Sequence, residues 1–299
     1  MEQACRTQGF LVGVSDSLHA EGQTHRFENG MSVFYLLCDG TFLVYDGGQG
    51  REDAEHLFGL LSQTARENGL DRLTVSALVI THEHGDHMGF AKHFFETYRE
   101  RLEIRELWIH TLFPWGETLV ARAKEHFPTC RIRRLQMGER FFLADVEVEV
   151  LCTPEALEAA DPGAIREDSN NASLVTRLTV HGKRILMAGD AGLRAWAFLR
   201  ATYGETLRSE YLQVPHHGAN HGATKEEYAL VGAEQLLFCC GEGLYRTLLD
   251  ENSRYSCTPS CRHKLFNPQT VALLEGFTGK QWIAGAYTGE RPLCQRFIG

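Results

Sequence analysis

The stretch Thr81-His82-Glu83-His84-Gly85-Asp86-His87-Met88-Gly89 carries four potential metal ligands, His82, His84, Asp86 and His87, within six residues. It comes directly off Thr74 to Ile80, a short and mostly apolar run that reads as a strand covered on both faces. Side chains alternate along an extended backbone, so His82 and His84 point to the same side and one cation can take both. Gly85 permits a sharp turn, after which Asp86 and His87 can be aimed at a second cation close by. A single histidine on a polar loop would read as a surface group, but this four-ligand spacing points to metal binding.

Upstream, Ser32–Cys38 and Thr41–Tyr45 read as strands joined by a hairpin at Asp39-Gly40, the second running into Asp46-Gly47-Gly48. Ala54, Leu57, Phe58, Leu61 and Ala65 recur at helical spacing before the stop signal Asn68-Gly69. Downstream, Ala91 to Leu102 reads as helix, Ile104 to Ile109 as extended chain and Glu117 to Phe127 as helix. The second half opens with Phe141–Leu143 and Val146–Leu151, where valines alternate with glutamates as in a half-exposed strand. Ser173–Val180 and Arg184–Met187 then form a hairpin that runs into Ala188-Gly189-Asp190, echoing the run into Asp46. Val214-Pro215-His216-His217-Gly218 ends another strand, with Asn220 and His221 following. Alone, Asp46 and Asp190 would read as turn or capping carboxylates. Beside the histidine cluster, Asp190 becomes a candidate to bridge two cations.

The chain has 299 residues, 43% hydrophobic and 23% charged, a balance that excludes disorder. A formal net charge of −9 is the wrong sign for non-specific coating of nucleic acid. Apolar runs such as Leu236-Leu237-Phe238-Cys239-Cys240 fall far short of the roughly 20 residues that span a bilayer. The first residues have no basic start, apolar core or cleavage site, so the expected compartment is the cytosol, where the nine cysteines would be free thiols. Cys257, Cys261 and His263 lack an evident fourth ligand and read as a loop.

A strand-end Asp, then His-x-His-x-Asp-His, a later Asp and a last His resemble the metallo-β-lactamase fold superfamily. Asp46, His82, His84, Asp86, His87, Asp190 and His216 or His217 match in order. The segments Asp168-Ser169-Asn170-Asn171-Ala172-Ser173-Leu174-Val175, Gly189-Asp190, Val214 to Gly218 and Asn267-Pro268-Gln269 through Tyr287-Thr288 are most similar to one subgroup. That subgroup is the hydrolase domain of competence DNA-uptake channel proteins and its stand-alone relatives. The resemblance implies an α/β fold, a four-layer αββα sandwich of two similar halves, about 1–135 and 136–299. Because the ligands are divided between the halves, residues 1–299 are expected to form one domain, with Leu244 to Lys264 as a capping insertion.

The resemblance further implies two divalent cations, zinc foremost with manganese or iron as alternatives, activating water for attack on phosphorus or a carbonyl. The family's middle histidine is missing, since residues 127–180 contain none. Asp168, Asn170 or Asn171 occupies that region, and oxygen is a harder ligand than imidazole. His82, His84 and an oxygen of Asp168 or Asn171 would hold one metal. Asp86, His87 and His216 would hold the other, with Asp190 between them. His216 is favoured over His217 as nearer the strand end, leaving His217 to line the pocket or bond a substrate oxygen, so that Asp86, Asp190 and His217 form the expected catalytic set. Asp46 would orient a ligand imidazole from behind, and His110, Trp115 and His221 would contact substrate. The expected activity is hydrolysis of phosphodiester or related phosphate-ester substrates, small or nucleotide-derived. Thiolester or lactone hydrolysis, a metal-binding regulatory module without turnover, and an auxiliary of DNA processing are the alternatives.

Overall fold

The computed structural model describes residues 6–14, 30–218, 222–239 and 294–299, together with the backbone of strands at 281–285, 287–288 and 291–292. Seven strands come first: β1 (Gln8–Val12), β2 (Val33–Leu36), β3 (Phe42–Tyr45), β4 (Leu73–Val79), β5 (Leu102–Ile104), β6 (Glu106–Trp108) and β7 (Arg131–Arg133). The second set is β8 (Arg140–Leu143), β9 (Val146–Cys152), β10 (Val175–Val180), β11 (Lys183–Met187), β12 (Tyr211–Gln213), β13 (Gln235–Cys239) and β14 (Gln281–Gly285). β15 (Tyr287–Thr288) pairs with β16 (Arg291–Pro292), and β17 (Cys294–Ile298) returns to the first sheet beside β1. The sheets run β17-β1-β2-β3-β4-β6-β7, with β5 also on β4, and β14-β13-β12-β11-β10-β9-β8.

Eight α-helices lie among the described residues: α1 (Arg51–Glu67), α2 (Gly85–Met88), α3 (Ala91–Tyr98), α4 (Pro114–His126), α5 (Pro154–Ala160), α6 (Ala164–Glu167), α7 (Leu193–Tyr203) and α8 (Lys225–Val231). Period-two alternation separates three apolar layers. Val44 and Leu78 face Leu57, Leu61 and Phe94 on one outer side. Tyr45, Val79 and Trp108 meet Val148, Ile185 and Met187 between the sheets. Leu186 and Leu212 pack on Trp196, Leu199 and Val231 on the other outer side. Two half-buried sheets can share one core only if each is covered outside, which makes the four layers helix, sheet, sheet, helix.

Local signals appear where the sequence carries them. α1 buries Ala54, Leu57, Phe58, Leu61 and Ala65 and ends at Asn68. α3 stops at Tyr98, short of the expected Leu102, because Leu102 begins β5 on the edge of β4. α4 begins three residues before Glu117, at Pro114, whose missing N–H costs nothing in the first turn. The suggested capping insertion at 244–264 lies outside the described residues. No helix among the described residues is long and apolar enough to cross a membrane.

Candidate metal centre

Strand ends deliver the site. β3 leads into Asp46, β4 into His82 and His84, β11 into Asp190, and β12 into His216 and His217. α2 is a single turn after His84 and presents Asp86 and His87. Gly89 closes that turn against the backbone, since a Cβ there would meet the Gln49 carbonyl oxygen at 1.9 Å.

Three imidazoles share one arrangement. His87 Nδ1 is 2.8 Å from Asp46 Oδ2, His217 Nδ1 is 2.7 Å from the Cys239 carbonyl, and His82 Nδ1 is 3.2 Å from Thr81 Oγ1. Bonds to Asp46 and to the carbonyl keep the N–H of His87 and His217 on Nδ1 and leave Nε2 with a lone pair. All three Nε2 atoms surround Asp190 Oδ2, at 3.2 Å for His87, 3.3 Å for His217 and 3.9 Å for His82. Asp86 Oδ2 lies 3.4 Å from His217 and 3.9 Å from His87. One ligand atom from each of Asp86, His87, Asp190 and His217 falls within 4.8 Å of the other three.

The electrostatics match this geometry. Burial alone would raise Asp190, but His217 and His87 overcome it and hold the carboxyl well below its usual range. Asp86 is lowered by the same two rings against the same penalty. Burial would lower His217, yet Asp190 and Asp86 carry it up to about 9. His87 is raised well above its ordinary value by Asp190, Asp86 and Asp46. Burial and neighbouring His87 keep His82 neutral, well below its usual pKa. The carboxylates therefore call for positive charge at this point, and a divalent cation would take the place of the imidazole protons. The Nε2 atoms of His82, His87 and His217 and Oδ1 of Asp190 are out of water with no hydrogen-bond partner among the described residues. Buried polar atoms are rarely left so, and donors of this kind fit a metal.

Placement of the other expected residues is more selective. His217 occupies the cluster where His216 was expected. Both have left-handed backbone, φ 50° at His216 and 54° at His217, which swings the second ring inward. His216 Nε2 is instead 3.5 Å from the Asn170 amide nitrogen. Asn171 is spent on the fold, donating to Ala164 O and accepting from Ala195 N at the start of α7. Asp168 caps its own turn by accepting from Asn170 N. Of the three candidates to replace the missing histidine, Asn170 has the buried side-chain oxygen without a partner among the described residues. His84 Nε2 bonds Ser169 Oγ at 2.8 Å, and its ring centroid is 4.4 Å from that of His82.

Asp46 is fully buried behind the cluster, where it accepts from Thr81 N–H and hydroxyl and pairs with His87. His110 is buried against Glu155, while Trp115 is 52% exposed and stacks on Phe113. His221 lies outside the described residues. Glu83 has a role that sequence reading missed: it accepts from the N–H groups of Leu112 and Phe113 and anchors the start of α4. Alternation carries the signal for it, because a residue between two inward histidines must face the other way.

A centre of imidazoles and carboxylates at the shared edge of two stacked sheets defines a metal-binding αββα protein. The chain belongs to the metallo-β-lactamase superfamily, whose profile matches residues 28–226. Among solved structures it is similar to the metallo-β-lactamase fold protein YhfI from Bacillus subtilis, at 10% identity and a TM-score of 0.55, covering 98% of this chain and 100% of that one. Tm1679, described as a metal-dependent hydrolase of the β-lactamase superfamily, gives 12% identity and a TM-score of 0.51, with 98% and 100% covered. CmlA, a diiron β-hydroxylase from Streptomyces venezuelae, gives 11% identity and a TM-score of 0.54 over 98% of this chain but 54% of its own. At these identities the likeness is one of fold. No curated protein sequence matches the chain.

Proposed function

We propose that this chain is a metal-dependent hydrolase of phosphodiesters or related phosphate esters, small or nucleotide-derived, acting in the cytosol. The observation that carries the reading is the ring of three inward-facing Nε2 atoms around Asp190 Oδ2, each ring held from outside. His82, His84 and the Asn170 oxygen would hold one divalent cation and Asp86, His87 and His217 a second, with Asp190 between them. Zinc is the first expectation, with manganese or iron favoured to the extent that an amide oxygen replaces imidazole. When bound, such ions supply a Lewis acid and a water of lowered pKa.

The protein's own residues do the positioning. Asp46 keeps the His87 lone pair directed inward, and the Cys239 carbonyl does the same for His217. Glu83 fixes Leu112 and Phe113 at the start of α4, which carries Trp115, beside the ligand segment. The phosphate preference is supported by the wording of segments 168–175 and 214–218, which is similar to the DNA-uptake hydrolase domains. The net charge of −9 weighs against broad nucleic-acid binding, not against a small anionic substrate meeting bound cations.

The test is metal analysis of the purified protein beside turnover of a generic phosphodiester, a thiolester and a lactone, with His84→Ala and Asp190→Ala as controls. About two metals per chain, and diester turnover lost in both variants, is the expected result. Faster thiolester or lactone turnover would move the substrate class. Metal without turnover on any panel member would favour a regulatory module, and less than one metal per chain would sink the dinuclear centre.

A further inference from the structure

The turn at 111–117 flanks the ligand segment at one edge of the first sheet. β3, β4, β6 and β7 run parallel, so their C-terminal ends share that edge. It carries Asp46 after β3, His82 and His84 after β4, the turn after β6 and Arg134 after β7. Glu83, between the two histidines, accepts from Leu112 N and Phe113 N at 2.9 Å each. A Cβ at Gly116 would overlap the same carboxyl, so only glycine lets the chain come this close. Phe113 N is therefore no more than about 8 Å from Glu83 Cα, the reach of an extended side chain plus one hydrogen bond. On the far side Arg134 bonds the Thr111 hydroxyl and reaches Glu117 Oε1 at 3.4 Å.

Pinned from both sides, this turn holds an apolar surface up to solvent. Trp115 is 52% exposed and Leu112 39%, two of the four exposed large hydrophobic side chains among the described residues. The rings of Phe113 and Trp115 stack, with centroids 5.3 Å apart and planes 19° from parallel. Packing does not demand the indole here, since α4 buries Gly116, Leu119, Val120 and Ala123 but not Trp115. A half-exposed indole on a fixed turn is a preformed stacking face, because its ordering is complete before a ligand arrives. Arg134 is 59% exposed on the same rim and supplies donors for a polar ring edge. An aromatic face beside an arginine suits a planar base, which stacks through its π-face whatever its identity.

We infer that the Phe113–Trp115 pair is the subsite for a nucleobase carried by the phosphate ester, and selects nucleotide-derived substrates over simple alkyl esters. The inference rests on the hydrolase reading above. With the phosphoryl group at the ligand cluster, the base lies on the open face of Trp115 and its polar edge meets Arg134. Glu83 points away from the two inward histidines, so the turn it anchors holds the base to one side of the cluster.

Adenosine 5′-monophosphate and ribose 5-phosphate differ only in the base, and calorimetry on the metal-loaded protein compares their binding. Wild type is expected to bind the adenosine monophosphate about 5- to 150-fold more tightly, the range for one stacked base. Trp115→Ala should bring that ratio to within about twofold of one, while Trp115→Phe keeps most of it. The nucleotide should also quench indole emission in wild type and leave it unchanged in Trp115→Phe, a difference that a merely structural role would not produce. Equal affinities in wild type, or a ratio that Trp115→Ala leaves as it was, would overturn the subsite while turnover of a generic phosphodiester keeps the hydrolase reading standing. Octyl phosphate bound more tightly than the nucleotide would assign the face to an alkyl chain and overturn the base. Metal-loaded wild type without diester turnover would overturn the hydrolase reading, and the inference with it.

Discussion

Replacing Asp46 by Asn exchanges one carboxylate oxygen for an NH₂ group and should reverse the tautomer of His87, its direct hydrogen-bond partner. Asp46 is fully buried and accepts three hydrogen bonds, from Thr81 N at 2.8 Å, Thr81 Oγ1 at 2.7 Å and His87 Nδ1 at 2.8 Å. The Asn carbonyl can keep the Thr81 N–H, and the Thr81 hydroxyl can rotate to accept. The new NH₂ group, however, faces His87 Nδ1 and makes that nitrogen an acceptor. The ring's proton then moves to Nε2, the atom that faces Asp190 at 3.2 Å and would carry the metal. Loss of such an orienting partner typically costs 10- to 100-fold in metal affinity, or roughly 1.4–2.7 kcal/mol. The fold itself should lose about 1–3 kcal/mol for one charge-assisted bond.

Asp46→Ala is the harsher control. It strands a buried Thr81 N–H and His87 Nδ1–H, at about 1–3 kcal/mol each. Zinc titration in a competing chelator reads the affinity, and denaturant unfolding of chelator-treated protein reads the stability. A well-folded Asp46→Asn protein whose zinc affinity stays within about twofold of wild type would refute the reasoning that Asp46 sets the His87 tautomer.

Two further outcomes follow from local geometry and burial. Gly89→Ala drives a Cβ to 1.9 Å from the Gln49 carbonyl oxygen and 2.4 Å from that of Gly85, so α2 must shift and carry Asp86 and His87 with it. Metal stoichiometry should fall while the circular dichroism spectrum persists; unchanged stoichiometry would show that the turn absorbs the methyl. Burial of His56 on α1 pushes its pKa down to about 4 from 6.5. The unfolded chain then binds this proton below pH 6.5 while the folded chain resists until about pH 4, so stability falls as pH drops through that window, by up to about 3 kcal/mol. From pH 7 to 4 the stability of wild type should fall by up to about 3 kcal/mol more than that of His56→Leu, and parallel pH profiles would remove His56 as the cause.

Much of the layered fold was legible because it follows from local periodicity. Val146, Val148 and Val150 alternate with half-exposed glutamates in β9, and the apolar stripe of α1 faces its sheet. The candidate ligands His82, His84, Asp86 and His87 could be proposed for the same reason, since they share one strand end and one turn. Glu83 was overlooked because its partners, the N–H groups of Leu112 and Phe113, lie about thirty positions away and only the sheet brings them near.

The sequence by itself determined which chemical groups stand at the strand ends: imidazoles and carboxylates in an order that matches one superfamily. Tertiary structure decided which of them face inward. Backbone turned left-handed at His216 and His217 brings the second ring to Asp190, although strand-end distance favoured the first. Packing of α6 and α7 consumes the Asn171 amide and leaves the neighbouring Asn170 oxygen without a partner among the described residues. Adjacent residues of nearly equal chemistry differ only in the long-range hydrogen bonds they find, and those partners exist only once the two sheets have stacked.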